Sequence, residues 1–335
     1  MKGSRSFPIP LLLALLSVRA LGQGCSDAGV CTAGPIGDLH LWQDSTADAT
    51  TYRHTARIGY SYAIGERGTT IMQISPEVSI GIGKKFAVQA KLPIVATDGV
   101  LGDNSGIGDV IATISYAFIK EKDRNLTGVL GMRLPTGNTD ARAPVRVDPG
   151  SQTGQVLSVA HLPMPYQTGL GTTDLLAGVN WRYQRYVVGL AFQQVLSQRN
   201  ANEFTHEAWS NDPTAAGYFE SRELERASDL VARVQYAYGC GRLAMQPGLL
   251  AIYHLMDDSR LNDIATNMEM GTERMDIAGS QGLTLNLTAD LRYKLAERWG
   301  VEASAGMPLV TRKARPDGLT REFVLEIGFS HRFGR

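Results

Sequence analysis

Residues 283–295 read L-T-L-N-L-T-A-D-L-R-Y-K-L. Leu283, Leu285, Leu287, Ala289, Leu291, Tyr293 and Leu295 alternate without exception with Thr284, Asn286, Thr288, Asp290, Arg292 and Lys294. A period of two places alternate side chains on opposite faces of an extended chain, so the stretch predicts a β-strand with one apolar and one polar face. A soluble sheet turns its apolar face to a core. A membrane barrel turns that face to lipid and lines its lumen with the polar one. At 13 residues the strand exceeds the usual soluble length of about 5–6.

The same alternation recurs along the chain. From Thr55 onward it predicts twelve strands, near 55–65, 70–82, 86–96, 108–119, 126–137, 173–183, 186–198, 229–238, 243–256, 283–295, 299–311 and 321–333. Most match the roughly 9–11 residues that cross a bilayer at a tilt. The connections after strands 2, 4, 6, 8 and 10 are short. Those after strands 3, 5, 7, 9 and 11 are longer, at 97–107, 138–172, 199–228, 257–282 and 312–320. An even strand count with loops sorted by length predicts an all-β, transmembrane antiparallel up-and-down barrel, both termini on the periplasmic side. Residues 218–228 allow one or two helical turns within a loop. No run of 18 apolar residues follows the N-terminal region, so no spanning helix is expected.

Trp181, Tyr183, Tyr186, Tyr236, Tyr238, Tyr293, Trp299, Phe86, Tyr116, Phe118 and Phe333 lie near the short-turn ends. Amphipathic rings favour the headgroup level, so they predict a periplasmic girdle against outer-membrane lipid. Proline cannot donate to a ladder, which places Pro93, Pro135 and Pro308 at strand ends on the extracellular rim.

The 335 residues carry no net formal charge, and 43% are hydrophobic. No basic excess points to nucleic acid. Lys2 and Arg5, the apolar run 9–18 and Ala20-Leu21-Gly22 predict a secretory signal over residues 1–22, with Gln23 first after cleavage. Residues 23–54 then form a periplasmic segment before a barrel over 55–335. Export to the Gram-negative outer membrane follows, with the barrel-assembly machinery as a partner. Cys25 and Cys31 are a disulfide candidate in an oxidising compartment; the alternatives are free thiols or lipidation of Cys25. The segment 23–54 sets Asp27, Asp38, Asp44 and Asp48 against Arg53. It either enters a basic lumen as a plug or hangs as a tail.

The inward registers yield lumen candidates. Arg57, Lys91, Arg133, Arg182, Arg233, Arg292, Lys294 and Arg332 are basic; Glu77, Asp290, Glu302 and Glu326 are acidic. A basic excess would favour anionic solutes by focusing potential. The same residues could instead pair into a structural network, because a twelve-stranded barrel is narrower than the 16–18-stranded open porins.

Enzyme signatures are missing. His206-Glu207 lacks the second His of a zinc-protease motif, and Gly81-Ile82-Gly83-Lys84-Lys85 lacks phosphate-loop spacing. No His has a Ser two positions on, as an outer-membrane phospholipase would. No enzyme and no cofactor are expected. Met268, Met270 and Met275, near Met256 and His254, form a weak soft-metal set suited to Cu(I), and an ordinary flexible contact surface otherwise.

Several strand-end phrases carry a family resemblance: Ala90-Lys91-Leu92-Pro93, Met132-Arg133-Leu134-Pro135-Thr136-Gly137-Asn138, Gly106-Ile107-Gly108-Asp109 and Gly169-Leu170-Gly171-Thr172-Thr173-Asp174. They are similar to a family of outer-membrane barrels associated with the meta-cleavage pathway of phenol degradation and described as transporters. The resemblance covers about residues 70–195. The terminal VLEIGFSHRF also resembles the recognition signal of barrel assembly, with Gly334 and Arg335 after its last Phe. The family implies a barrel and passage of small, often apolar, molecules, and it supplies no functional residues. The expected function is a passive channel for small apolar or anionic molecules; the alternative is a structural or surface-binding barrel without transport.

Overall fold

The computed structural model describes residues 53–121, 123–147, 156–265, 270–318 and 322–334. The signal, Cys25, Cys31, Met268 and residues 23–52 lie outside them. The strands are β1 (His54–Ile64), β2 (Thr70–Ile82), β3 (Phe86–Lys91), β4 (Ile94–Gly99), β5 (Gly102–Ile107), β6 (Val110–Lys120), β7 (Arg124–Leu134), β8 (Arg142–Val147), β9 (Val156–His161) and β10 (Thr172–Tyr183). They continue as β11 (Tyr186–Gln198), β12 (Asp229–Tyr236), β13 (Tyr238–Cys240), β14 (Leu243–His254), β15 (Ser259–Ala265), β16 (Met270–Asp276), β17 (Gly282–Lys294), β18 (Trp299–Val310) and β19 (Phe323–Phe333).

Twelve of these close an antiparallel barrel in the order β1-β2-β3-β6-β7-β10-β11-β12-β14-β17-β18-β19, and β19 returns to β1 along eleven residue pairs from His54↔Phe333 to Ile64↔Phe323. Closure leaves no backbone edge facing lipid, as a hydrocarbon medium demands.

The opening stretch becomes β17. Thr284, Asn286, Thr288 and Arg292 are buried, while Leu283, Leu287, Leu291, Tyr293 and Leu295 are exposed on the outer wall. The inversion holds around the barrel: Ile58, Ile80, Leu130, Leu190, Val234, Leu249 and Ile327 are exposed, and Arg57, Glu77, Lys91, Arg133, Arg233 and Glu326 are buried. Water drives apolar groups inward; lipid reverses the sorting. Trp181, Tyr183, Tyr186, Tyr236, Tyr238, Tyr293 and Trp299 project outward near the short turns, with Tyr186 edge-on to Tyr236 and Trp181 stacked on Tyr183.

Some expectations need correction. The third strand is broken at Leu92-Pro93, and the supposed loop 97–107 is the hairpin β4–β5 standing on the barrel. Pro76 faces this break inside β2. Its carbonyl accepts from Leu92 N–H at 3.1 Å, so its missing donor falls where β2 changes partner from β3 to β4. Pro308 is not at a strand end. It lies within β18, opposite Asn286 and beside an irregularity at Leu285/Asn286, a site that tolerates a lost ladder bond. The loops 138–172 and 257–282 contain the hairpins β8–β9 and β15–β16. Residues 218–228 form no helix; single 3₁₀ turns occur instead at Glu207–Trp209 and Ala215–Gly217.

Candidate functional site, the charged lumen

Among the described residues, three ion-pair groups stand out on the lumen wall. The first centres on Arg57. Its Nη1 meets Glu77 Oε1 at 2.9 Å, its Nε meets Glu302 Oε2 at 2.9 Å, and its Nη2 is paired with Glu326. Lys91 Nζ lies 3.8 Å from Glu77, and Arg292 Nε 3.7 Å from Glu302. The second joins Arg133 to Asp174, whose Oδ2 also accepts from Gln193 Nε2 at 2.7 Å. In the third, Arg233 Nη2 lies 2.8 Å from Asp290, which also accepts from Gln235.

Inward glycines make these long reaches possible. Arg57 lies over Gly59 and Gly328, where a methyl group would come within 2.9 Å and 2.5 Å of its guanidinium. Gln235 reaches from β12 to Asp290 on β17 across Gly248 of β14, whose added methyl would meet Gln235 Cγ at 2.5 Å. The side chains therefore fold along the wall and fill the barrel. Arg133, Leu176, Gln193, Gln235, Leu250 and Asn286 are all under 2% exposed or nearly so. An apolar band of Ile111, Val129, Leu176, Val231, Leu250 and Ile252 faces inward on β6 to β14, beginning beside Lys91, the register partner of Ile111.

The long-loop end carries a packed cap. Leu101, Ala143, Leu162, Tyr166, Phe204, Trp209 and Tyr218 form its core. The Tyr218 hydroxyl is 3.0 Å from Thr69 Oγ1 and 3.1 Å from the Tyr166 hydroxyl. Beneath it, a buried charge cluster clamps three loops. Asp317 accepts from Arg312 at 2.9 Å and from Arg226 at 3.2 Å. His254 sets Nδ1 against Asp229 at 2.6 Å and Nε2 against Asp258 at 2.7 Å. Burial pushes the Asp317 carboxyl up, but Arg312, Arg226 and His254 outweigh it and hold the group well below the usual carboxylate range. Both imidazole nitrogens of His254 face carboxylates, so neither is placed to take a proton from a hydroxyl. Asp109 ties two further segments: its Oδ1 accepts from Gly137 N–H at 3.0 Å and its Oδ2 from Leu170 N–H at 2.9 Å. A cavity of about 60 Å³ lies among these groups, bordered by Lys91, Asp109, Arg133, Met164 and Asp317.

At the short-turn end a larger vestibule opens, of about 750 Å³. Arg182, Arg185, Arg242, Arg292, Lys294, Arg298 and Arg332 border it, against Asp123 and Glu297. Clustered like charge at a low-dielectric mouth focuses potential and raises the local concentration of counter-ions.

The sequence-derived lumen residues thus fall into distinct places. Arg57, Glu77, Lys91, Glu302 and Glu326 share the first group, and Arg292 joins it to the vestibule. Arg133 belongs to the second group, Arg233 and Asp290 to the third. Arg182, Lys294 and Arg332 line the vestibule. Met275 Sδ accepts from Asn262 Nδ2 at 3.1 Å on the β15–β16 hairpin, while the side chain of Met270 lies outside the described set. Asp174 and Asp229 were missed, although each shares an inward period-two register, with Arg182 and with Arg233 respectively. Arg226, Asp258, Arg312 and Asp317 sit in loops, where no periodicity marks them. Arg185, Arg242 and Arg298 sit in short turns and gave no signal either.

No family model matches the chain, and no curated protein matches it. Among solved structures, an outer-membrane channel from Pseudomonas putida F1 is similar with a TM-score of 0.52 at 14% identity, over 84% of this chain and 96% of that one. A monoaromatic hydrocarbon channel, CymD, is similar with a TM-score of 0.43 at 11% identity, over 88% of this chain and 92% of that one. The KdgM porin gives 0.41 at 7% identity, over 84% and 99%. The first of these likenesses shows that the chain has the fold of an outer-membrane channel barrel.

Proposed function

We propose that this protein is a passive outer-membrane channel for small anionic solutes. The observation that carries the reading is the basic vestibule of about 750 Å³ at one mouth of a closed twelve-stranded barrel. A solute entering from outside passes the cap, then the ion-pair layer, and is drawn to the vestibule by its excess of cations. The inward apolar band gives the non-polar part of an organic anion a surface on the same path. Conduction requires side chains in the middle of the barrel to swing aside, because Leu176, Gln193, Leu250 and Asn286 leave almost no free surface there. Nothing in this route needs a nucleophile or a general base.

The test is the reversal potential of single channels in planar bilayers under a KCl gradient. Anion preference is expected, and it should weaken in a double Arg242→Glu, Arg332→Glu variant. Cation preference in the native chain would refute the reading. The packed cap favours a second reading, a surface-binding barrel without transport. Absence of both current and solute entry into proteoliposomes, with the barrel folded, would select it.

A further inference from the structure

Charge is sorted along the barrel axis. In the middle of the lumen cations meet carboxylates: Arg133 pairs with Asp174, Arg233 with Asp290, and Arg57 with Glu77, Glu302 and Glu326. At the short-turn mouth the two signs are unequal. Seven basic side chains border the vestibule against two carboxylates, Asp123 and Glu297, a surplus of five positive charges. Counting Glu302 against Arg292, at 3.7 Å, still leaves four.

The cations come from β10, β17 and β19 and from the turns after β10, β13 and β17, so they face one space from several sides. Six of the seven are arginines. The planar guanidinium fork meets a carboxylate with two parallel hydrogen bonds, which gives geometric specificity for oxyanions. Ala237, Leu243, Ala244 and Ala296 border the same space and offer contact to a carbon skeleton. The volume, about 750 Å³, falls within the roughly 300–1,000 Å³ of small-molecule sites. Valence then decides among anions. A mouth potential of about 2 kT concentrates a monovalent anion roughly sevenfold, a divalent one roughly fiftyfold and a trivalent one roughly four-hundredfold.

We infer that the vestibule is a binding site for compact organic anions with two or three carboxylates. Such an anion, arriving from the short-turn side, bridges guanidinium groups of different strands and stands in the path of singly charged solutes. It is held at the mouth, because the paired charges of the mid-lumen offer it no comparable surplus. The obstruction rests on the channel reading; the binding does not. The attraction is salt-sensitive, since the screening length falls from about 10 Å at 0.1 M to about 3 Å at 1 M.

Two measurements test it. The first follows thermal unfolding of the barrel in non-ionic detergent by gel mobility, with acetate, succinate or tricarballylate added at equal ionic strength. A ligand that binds only the folded state raises the midpoint. Tricarballylate should raise it at a several-fold lower concentration than succinate, and acetate should leave it unchanged. R242Q/R332Q should lose most of the tricarballylate response. K84Q/K85Q, which removes the same charge from an exposed turn outside the vestibule, should keep it. If R242Q/R332Q does not assemble, R185Q, in an exposed turn bordering the vestibule, takes its place. Equal midpoints in acetate and tricarballylate, or an undiminished response from the vestibule variant, overturn the site. The second measurement is current in planar bilayers at 0.1 M KCl. Millimolar tricarballylate should reduce it from one face of the bilayer only, and less so at 1 M. No block, or equal block from both faces, overturns the obstruction. A barrel that carries no current refutes the channel reading and the obstruction with it, while the first measurement still decides the binding.

Discussion

Arg57 on β1 and Glu302 on β18 are paired at 2.9 Å although β19 lies between them. The pair spans the intervening strand because Gly328 lies beneath the guanidinium. A methyl group there would sit 2.5 Å from Nη2 and 2.7 Å from Nε. Gly328→Ala should therefore displace Arg57 at a cost of about 1–3 kcal/mol, the usual range for overpacking. Gly306→Ala is the control, since an added methyl there meets nothing within 4 Å. Urea midpoints, followed by the mobility difference between folded and unfolded barrel on gels, should separate the two variants.

Arg57 serves three carboxylates, so its removal leaves Glu77, Glu302 and Glu326 close together without their shared cation. Breaking a buried ion group from one side costs about 3–5 kcal/mol. Arg57→Met should be destabilising by that order. Adding Glu302→Gln and Glu326→Gln should restore part of it, because the stranded charges are then gone. If the triple variant is less stable than Arg57→Met alone, the contacts of Glu302 and Glu326 with groups other than Arg57 outweigh the repulsion between the stranded carboxylates, and the hub reading is wrong.

The outer wall makes a depth-dependent prediction. Leu287 is exposed near the middle of β17, between Leu249 and Met307, whereas Tyr293 lies at the short-turn end of the same face. Leu287→Arg should cost about 2–4 kcal/mol and Tyr293→Arg about 0–1. Folding free energies into liposomes measure both. Equal costs would place this face away from a bilayer.

β17 was legible in the sequence because lipid and lumen impose unlike demands at every second residue, and few other environments do so over 13 positions. The same rule located the inward face of β1, β12 and β19. It did not show what the inward residues do. Period two placed Arg57 and Glu302 on the lumen side, but their pairing depends on Gly328, a residue with no side chain to mark it. The loops escaped for a different reason. Asp258 and Asp317 cooperate with Arg226 and Arg312 over long sequence separations, and such contacts arise only when the barrel brings the loop ends together. The hairpin β8–β9 gives Ala143, Val145 and Ala160 to the cap core, whereas β15–β16 is short and carries Asn262, Asp263, Thr272, Glu273 and Arg274, so it resembled a polar loop.

Glu66 gives the cap a pH dependence of defined sign. It sits in the turn between β1 and β2, buried, with Arg315 Nε at 3.1 Å. Burial pushes its carboxyl up from 4.5 to about 7, against the pull of Arg315. A raised carboxyl pKa means the folded turn binds the proton more tightly than the unfolded chain does. The resulting stabilisation is fully present below about pH 4.5 and is lost as pH rises to about 7, by at most about 3 kcal/mol. Protection of the Gly65 and Thr69 amides, which donate to the Thr69 and Glu66 carbonyls, should fall across that window once the intrinsic pH dependence of exchange is removed. Glu66→Gln, which cannot ionise, should flatten the profile. Protection that instead rises with pH in the native chain would mean that the Arg315 ion pair outweighs burial, and that the carboxylate, rather than the acid, fastens this turn to the cap.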